Sequence, residues 1–166
     1  RQQKPVQAAA QNSEGVMTIP LPDEAVPVGH RWSFPFEIEL PLENGTVKKI
    51  KEEMYVPNGL AFNEDGSELI VAETMGNRLW KGAWDSENSE WIDPEPWADV
   101  GGPTGPDGMA LGADGLMYVA VFGTGEVRGV DASGEVVERI EFPGYSPTNV
   151  AFDPVGDLGM VVTGET

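Results

Sequence analysis

Residues 57–73 read PNGLAFNEDGSELIVAE, and two later segments of the chain repeat their pattern. The pattern is a proline, a small or polar residue, a short apolar strand, a turn centred on glycine and a second apolar strand. It returns at 106–121 as PDGMALGADGLMYVAV and at 147–163 as PTNVAFDPVGDLGMVVT, so the starts lie 49 and 41 residues apart. Tandem units of about 40 to 50 residues, each built from short strands, are typical of propeller blades. The sequence therefore predicts an all-β protein, a β-propeller of four-stranded blades.

The expected strands are the apolar runs that lie between turn residues. An Asn-Gly pair at 44–45 separates two strand-like runs and predicts a hairpin of residues 34–40 and 46–54. The remaining strands are expected at 59–62, 68–73, 78–84 and 96–100, at 108–111, 116–121, 126–131 and 136–142, and at 149–152 and 158–163. Residues 1–33, which are polar and then rich in proline, are predicted to be an irregular lead-in. Residues 34–166 are predicted to form the partial propeller domain.

The number of units is small for a closed ring. At about 45 residues a unit, the chain holds three to three and a half blades, whereas closed propellers have at least four. Because an open array exposes a sheet face at each end, we expect a longer parent chain, or a second copy or another chain that completes the propeller. The chain starts without Met and ends two strands into a blade, which favours a fragment of a longer chain.

Composition excludes several classes of function. The chain has 28 acidic and 10 basic residues and a net charge of −18, which argues against binding to nucleic acid or to an anionic membrane surface. No apolar run reaches the roughly 18 residues of a membrane span. The absence of cysteine excludes disulfides, thiolate zinc sites and a cysteine nucleophile, and it leaves the compartment open.

The residues after the three repeated prolines are the candidate site. Asn58, Asp107 and Thr148 are each expected to open the innermost strand of a blade, at the mouth of the central channel. An amide and a carboxylate from adjacent blades would then converge, and such oxygen donors suit Ca²⁺ or Mg²⁺. The alternative is structural, because Asn-Gly and Asp-Gly are also the commonest hairpin turns. Glu73 and Thr74 end a second strand, where they face either the substrate mouth or a solvated rim.

The segments PNGLAFNEDG, VAET, GPDGMALGADGLMYVAV and SPTNVAF together resemble the SMP-30/gluconolactonase/luciferin-regenerating enzyme family of six-bladed propellers. The resemblance covers about residues 34–166, which correspond to the second half of the family fold. It implies a lactone hydrolase that uses a divalent metal, with Asn58 and Asp107 as metal ligands and Asp107 also as the general base. Ca²⁺ is the expected cofactor, and Mg²⁺, Mn²⁺ and Zn²⁺ are the alternatives.

Two family motifs are missing from this chain. The family has a metal-binding Glu in a Glu-Gly-Pro context and a substrate-binding Asn in an Asn-Asp-Gly context, and neither context occurs here. Ser13-Glu14-Gly15 partly matches the first, so Glu14 is a third candidate ligand. The resemblance implies metal-activated attack of water on a small lactone or similar cyclic ester. The alternatives are a non-catalytic propeller that binds calcium or a partner, and an inactive half-propeller fragment.

Overall fold

The strands of each repeat form separate antiparallel sheets in the computed structural model, which describes residues 36–41, 47–156 and 158–165. Its strands, β1 to β12 in chain order, are Phe36–Pro41, Val47–Met54, Pro57–Phe62, Glu68–Glu73, Arg78–Asp85, Glu90–Asp99, Gly105–Leu111, Met117–Phe122, Glu126–Val130, Val136–Glu141, Ser146–Phe152 and Met160–Glu165. The sheets are β1-β2, β3 to β6, β7 to β10 and β11-β12, and neighbours in each sheet are consecutive in sequence. Four-stranded meanders of this kind are propeller blades, so the predicted fold class is confirmed.

The first strand of each repeat starts two or three residues earlier than predicted. The proline is itself part of the ladder, since Pro57 lies opposite Glu73, Pro106 opposite Val121 and Pro147 opposite Gly164. A register shift follows each proline, and regular pairing then resumes. A shift of this kind re-aims the side chain at that point of the strand. We call these three segments, residues 57–58, 106–107 and 147–148, the proline corners.

The outer strand of the first blade was predicted wrongly. β6 begins at Glu90, six residues before the predicted start at residue 96. The added part of the strand contains Pro94, which is tolerated because β6 is the outermost strand of its sheet, where a missing N–H costs no ladder bond. Register shifts in the β5-β6 pair accommodate the prolines. Trp91 consequently lies within the strand, is buried, and donates from Nε1 to the Leu69 carbonyl oxygen at 3.0 Å.

The predicted hairpin before the first blade is present as the antiparallel pair β1-β2. The Asn-Gly turn at 44–45 and the lead-in at 1–33 lie outside the described residues. Within the described part of the chain, the structure contains no helix that is long and apolar enough to cross a membrane.

Apolar side chains between the sheets set the blades side by side. The interface of the two complete blades contains the following buried residues: Ile70, Ala72 and Leu79 from one, and Met109, Val119 and Val121 from the other. A second cluster joins Tyr118 and Ala120 to Val150 of β11. The middle strands β4 and β8 are buried on both faces, as strands between neighbouring blades must be. This packing places β7 between β3 and β11, and the three proline corners therefore lie at the same end of adjacent strands.

Candidate metal site at the proline corners

The neighbouring strand comes so close to Gly59 and Gly108, which follow the first two proline corners, that a side chain at either position would clash with it. A Cβ atom on Gly59 would lie 2.3 Å from the backbone oxygen of Asp107, and one on Gly108 would lie 2.8 Å from the Cα of Asn149. Neither glycine has a positive φ, whereas Gly66 and Gly115 in the hairpin turns do, at 73° and 84°. Asn58-Gly59 and Asp107-Gly108 are therefore not hairpin turns, because type I′ turns need positive φ values.

The structure brings Asn58 and Asp107 together, as the sequence predicted. The Asn58 carboxamide lies beside the Asp107 segment, because the Thr74 hydroxyl bonds both the Asn58 amide and the Pro106 carbonyl oxygen next to Asp107. Burial raises the pKa of Asp107 above its usual value, and the nearby Asn58 amide only partly offsets that effect. Asp107 is half-buried and Asn58 is exposed. The pair is thus a carboxylate of increased basicity with an amide beside it, open to solvent on one side.

Of the other two predicted positions, only Thr148 lies among the described residues. Thr148, at the third proline corner, lies with its Oγ1 3.0 Å from the Oγ1 of Thr163 on β12. Its hydroxyl therefore bonds within its own sheet. Glu14, the third candidate ligand, lies outside the described residues.

Asn58 and Asp107 fit one side of the coordination shell of a hard cation. Both can offer oxygen, the donor type that Ca²⁺ and Mg²⁺ prefer. Within the described part of the chain, no group of three or more His, Cys, Asp or Glu side chains could hold a metal ion. Since Ca²⁺ takes about six to eight oxygen ligands, water or other parts of the protein must complete the shell around this pair.

Thr74 is a site residue whose role the sequence did not reveal. It opens a short 3₁₀ turn, Thr74–Gly76, directly after β4. Its Oγ1 donates to the carbonyl oxygen of Pro106 at 2.6 Å and accepts from Nδ2 of Asn58 at 3.3 Å. One buried hydroxyl therefore bonds both proline corners. The only signal in the sequence is its place, one residue after the second strand, where a side chain can reach the start of the next blade.

Glu73, next to Thr74, is fully buried and so does not belong to a solvated rim or a substrate mouth. Its carboxylate accepts hydrogen bonds from the Tyr55 backbone N–H at 2.7 Å, from Trp80 Nε1 at 2.7 Å and from Arg78 Nε. Burial acts to raise the pKa of Glu73, but these donors outweigh it and the pKa is lowered. The carboxylate thereby fixes the segment that leads into the first proline corner.

Comparison with known protein families gives one match that covers most of the chain. The model of the SMP-30/Gluconolactonase/LRE-like region matches residues 38–164. Among curated proteins, the pentonolactonase XacC of Haloferax volcanii is 29% identical over 110 residues, which are 66% of this chain and 38% of that protein. The chain spans about a third of the length of the curated relatives that it matches.

Solved structures give the same match. A gluconolactonase from Xanthomonas campestris superposes with a TM-score of 0.61 and 28% identity, over 73% of this chain and 39% of that chain. Regucalcin from Agrobacterium tumefaciens, a calcium-binding protein, superposes with a TM-score of 0.59 and 31% identity, over 65% of this chain and 37% of that chain. These similarities agree with the partial propeller described above.

Proposed function

Because the chain belongs to the SMP-30/gluconolactonase/LRE-like family, we propose that it carries the metal-binding half of a lactonase active site. The observation that supports this proposal is the contact between Asn58 and Asp107 across two adjacent blades. The similarity to a pentonolactonase and a gluconolactonase supports a sugar lactone as the class of substrate.

Asn58 and Asp107 would hold the cation, with Ca²⁺ as the first candidate. When bound, a divalent cation polarises a carbonyl group and lowers the pKa of water. Asp107 supplies the negative charge of the pair and Asn58 a neutral oxygen. We therefore expect the loss of Asp107 to weaken cation binding more than the loss of Asn58 does.

Asp107 is also the proposed general base. Its carboxylate has two oxygens, so it can contact the cation with one and accept a proton from water with the other. Water would add to the lactone carbonyl carbon, the ring C–O bond would break, and the ring oxygen would take up the proton that Asp107 accepted, which gives the open hydroxy acid.

Calcium binding without catalysis is the second candidate function. It is favoured by the similarity to regucalcin, a calcium-binding protein. The same two residues would hold the ion, so binding alone cannot distinguish the two functions.

The test is to measure lactone hydrolysis and cation binding on the same preparations. Hydrolysis of glucono-δ-lactone is followed by proton release, with added Ca²⁺, Mg²⁺, Mn²⁺ or Zn²⁺ and with EDTA. Cation affinity is measured by calorimetry. Asp107→Ala should abolish hydrolysis, and Asn58→Ala should weaken binding about 10-fold, within the range found for groups around a metal.

Thr148→Ala is the matched control, because Thr148 occupies the same place in the third proline corner and its hydroxyl bonds to Thr163 in its own sheet. It should behave as the parent does. Hydrolysis that survives in both Asp107→Ala and Asn58→Ala would rule out the proposed site. A parent protein that binds Ca²⁺ but hydrolyses no lactone would establish the second candidate instead.

A further inference from the structure

The Thr74 hydroxyl has a fixed hydrogen-bonding direction. A carbonyl oxygen can only accept, so the single hydroxyl proton is donated to the Pro106 oxygen, 2.6 Å away. The lone pairs of Oγ1 remain available, and they face the Asn58 carboxamide at 3.3 Å. An amide group next to such an acceptor must present its NH₂ rather than its oxygen.

This direction determines which atom of Asn58 is available to a cation. Nδ2 carries both hydrogens of the carboxamide, and it donates one of them to Thr74 Oγ1. The oxygen Oδ1 accepts no hydrogen bond from the described residues. Only the oxygen of a carboxamide can bind a metal cation, since the NH₂ nitrogen carries two protons and is a donor. Thr74 therefore holds Asn58 in the one of its two flip states that leaves Oδ1 open.

The backbone around Thr74 is held as firmly as its side chain. Its N–H donates to the Val56 carbonyl oxygen at 3.0 Å, directly before the first proline corner. Its own carbonyl oxygen lies so close to Gly105 that a Cβ there would approach it to 2.0 Å. Thr74 is also buried. The backbone that carries the hydroxyl is consequently held between the segments that lead into the first two proline corners.

We propose that Thr74 is a positioning residue that orients the Asn58 amide so that Oδ1 is presented as a ligand. The inference rests on the proposed function for the identity of the ligand, a divalent cation. It requires the hydroxyl and not the shape of the side chain, because valine has the same shape and can neither donate to Pro106 nor accept from Asn58.

The test compares Thr74→Val with Thr74→Ser by two measurements. Calorimetry with Ca²⁺ alone should give a dissociation constant about 10-fold higher for Thr74→Val, and within about threefold of the parent for Thr74→Ser. In the Asn58→Ala background, Thr74→Val should cause no further loss. The second measurement, by NMR without metal, is hydrogen exchange of the Asn58 side-chain NH₂, which should be faster in Thr74→Val than in the parent.

Each result decides the inference. It is overturned if Thr74→Val binds Ca²⁺ as the parent does, if Thr74→Ser is equally impaired, or if the loss persists in the Asn58→Ala background. A parent protein that binds no Ca²⁺ contradicts the proposed function, and the exchange measurement then decides alone whether Thr74 orients the amide. Unchanged exchange in Thr74→Val would overturn it.

Discussion

Replacing Gly59 with alanine tests the close approach that forms the site. The added Cβ would lie 2.3 Å from the backbone oxygen of Asp107 and 2.8 Å from the Cα of Gly108. Ordinary van der Waals contact begins at 3.4 Å, so β3 and β7 must separate by about 1.1 Å. Because both neighbours are backbone atoms, no side-chain rotation can relieve the contact.

The expected loss of stability is about 2 kcal/mol, in the middle of the range for overpacked sites. For a domain of this size, that corresponds to a melting temperature lower by roughly 4–8 °C. The displacement also moves Asn58 from Asp107. Since a misplacement of about 1 Å can reduce catalysis on the order of 100-fold, the proposed lactonase activity should fall by a similar factor.

The assay is urea unfolding together with calcium titration, and Gly66 supplies the control in the same hairpin. Gly66 has a φ of 73° and no atom within 4 Å of the Cβ position. Gly66→Ala is therefore strained only in its backbone, and Gly66→Asn should recover most of the loss, because asparagine tolerates this conformation. Gly59→Asn should be no better than Gly59→Ala. A Gly59→Ala protein with the parent's urea midpoint and calcium affinity would refute the argument.

Two further predictions concern the carboxylates of Glu73 and Asp107. Glu73→Gln should lower the free energy of unfolding by about 2 kcal/mol at pH 7, because it removes a charged acceptor from three donors. The pKa of Glu73 is lowered in the folded state, so its charge stabilises the fold above pH 4.5, the ordinary pKa of Glu, and this stabilisation is lost as the pH falls through the pKa of the folded state. In urea unfolding, the free energies of the parent and Glu73→Gln should therefore differ at pH 7 and approach each other at pH 3. Asp107→Asn should lose calcium binding yet melt no lower than the parent at pH 7. The pKa of Asp107 is raised in the folded state, so ionisation of its carboxyl group above pH 3.8, the ordinary pKa of Asp, disfavours the folded state. A lower melting temperature for Asp107→Asn than for the parent would contradict this prediction.

The repeat pattern was sufficient to predict the blades, because turn residues and buried strands are local properties. The inner and middle strands were placed to within a few residues. β6 was placed less well, since the tolerance of Pro94 and Pro96 depends on the strand being outermost, which is a property of the whole sheet. The proline corners were also missed as parts of strands, because pairing with a neighbouring strand extends the first strand of each repeat towards its N-terminus.

The candidate site, too, could be predicted from the sequence only in part. The proximity of Asn58 and Asp107 could be predicted, because each follows a repeated proline and adjacent repeats place equivalent residues together; their roles at a metal stay predictions. The parts played by Glu73 and Thr74 could not, because they depend on distances between segments far apart in sequence. The Thr74 hydroxyl is buried only because the second blade packs over it, with Pro106 lying 32 residues further along the chain.

The proline corners separate the architecture of a blade from its chemistry. Glycines and apolar residues further along each strand carry the packing between blades, whereas the residue after the proline is exposed or half-buried. That position holds an amide at Asn58, a carboxylate at Asp107 and a hydroxyl at Thr148, on three copies of one scaffold. In a duplicated blade, the residue after the corner proline could therefore be substituted without a change in the packing between blades. A single substitution at that position could add or remove a ligand while the fold stays the same.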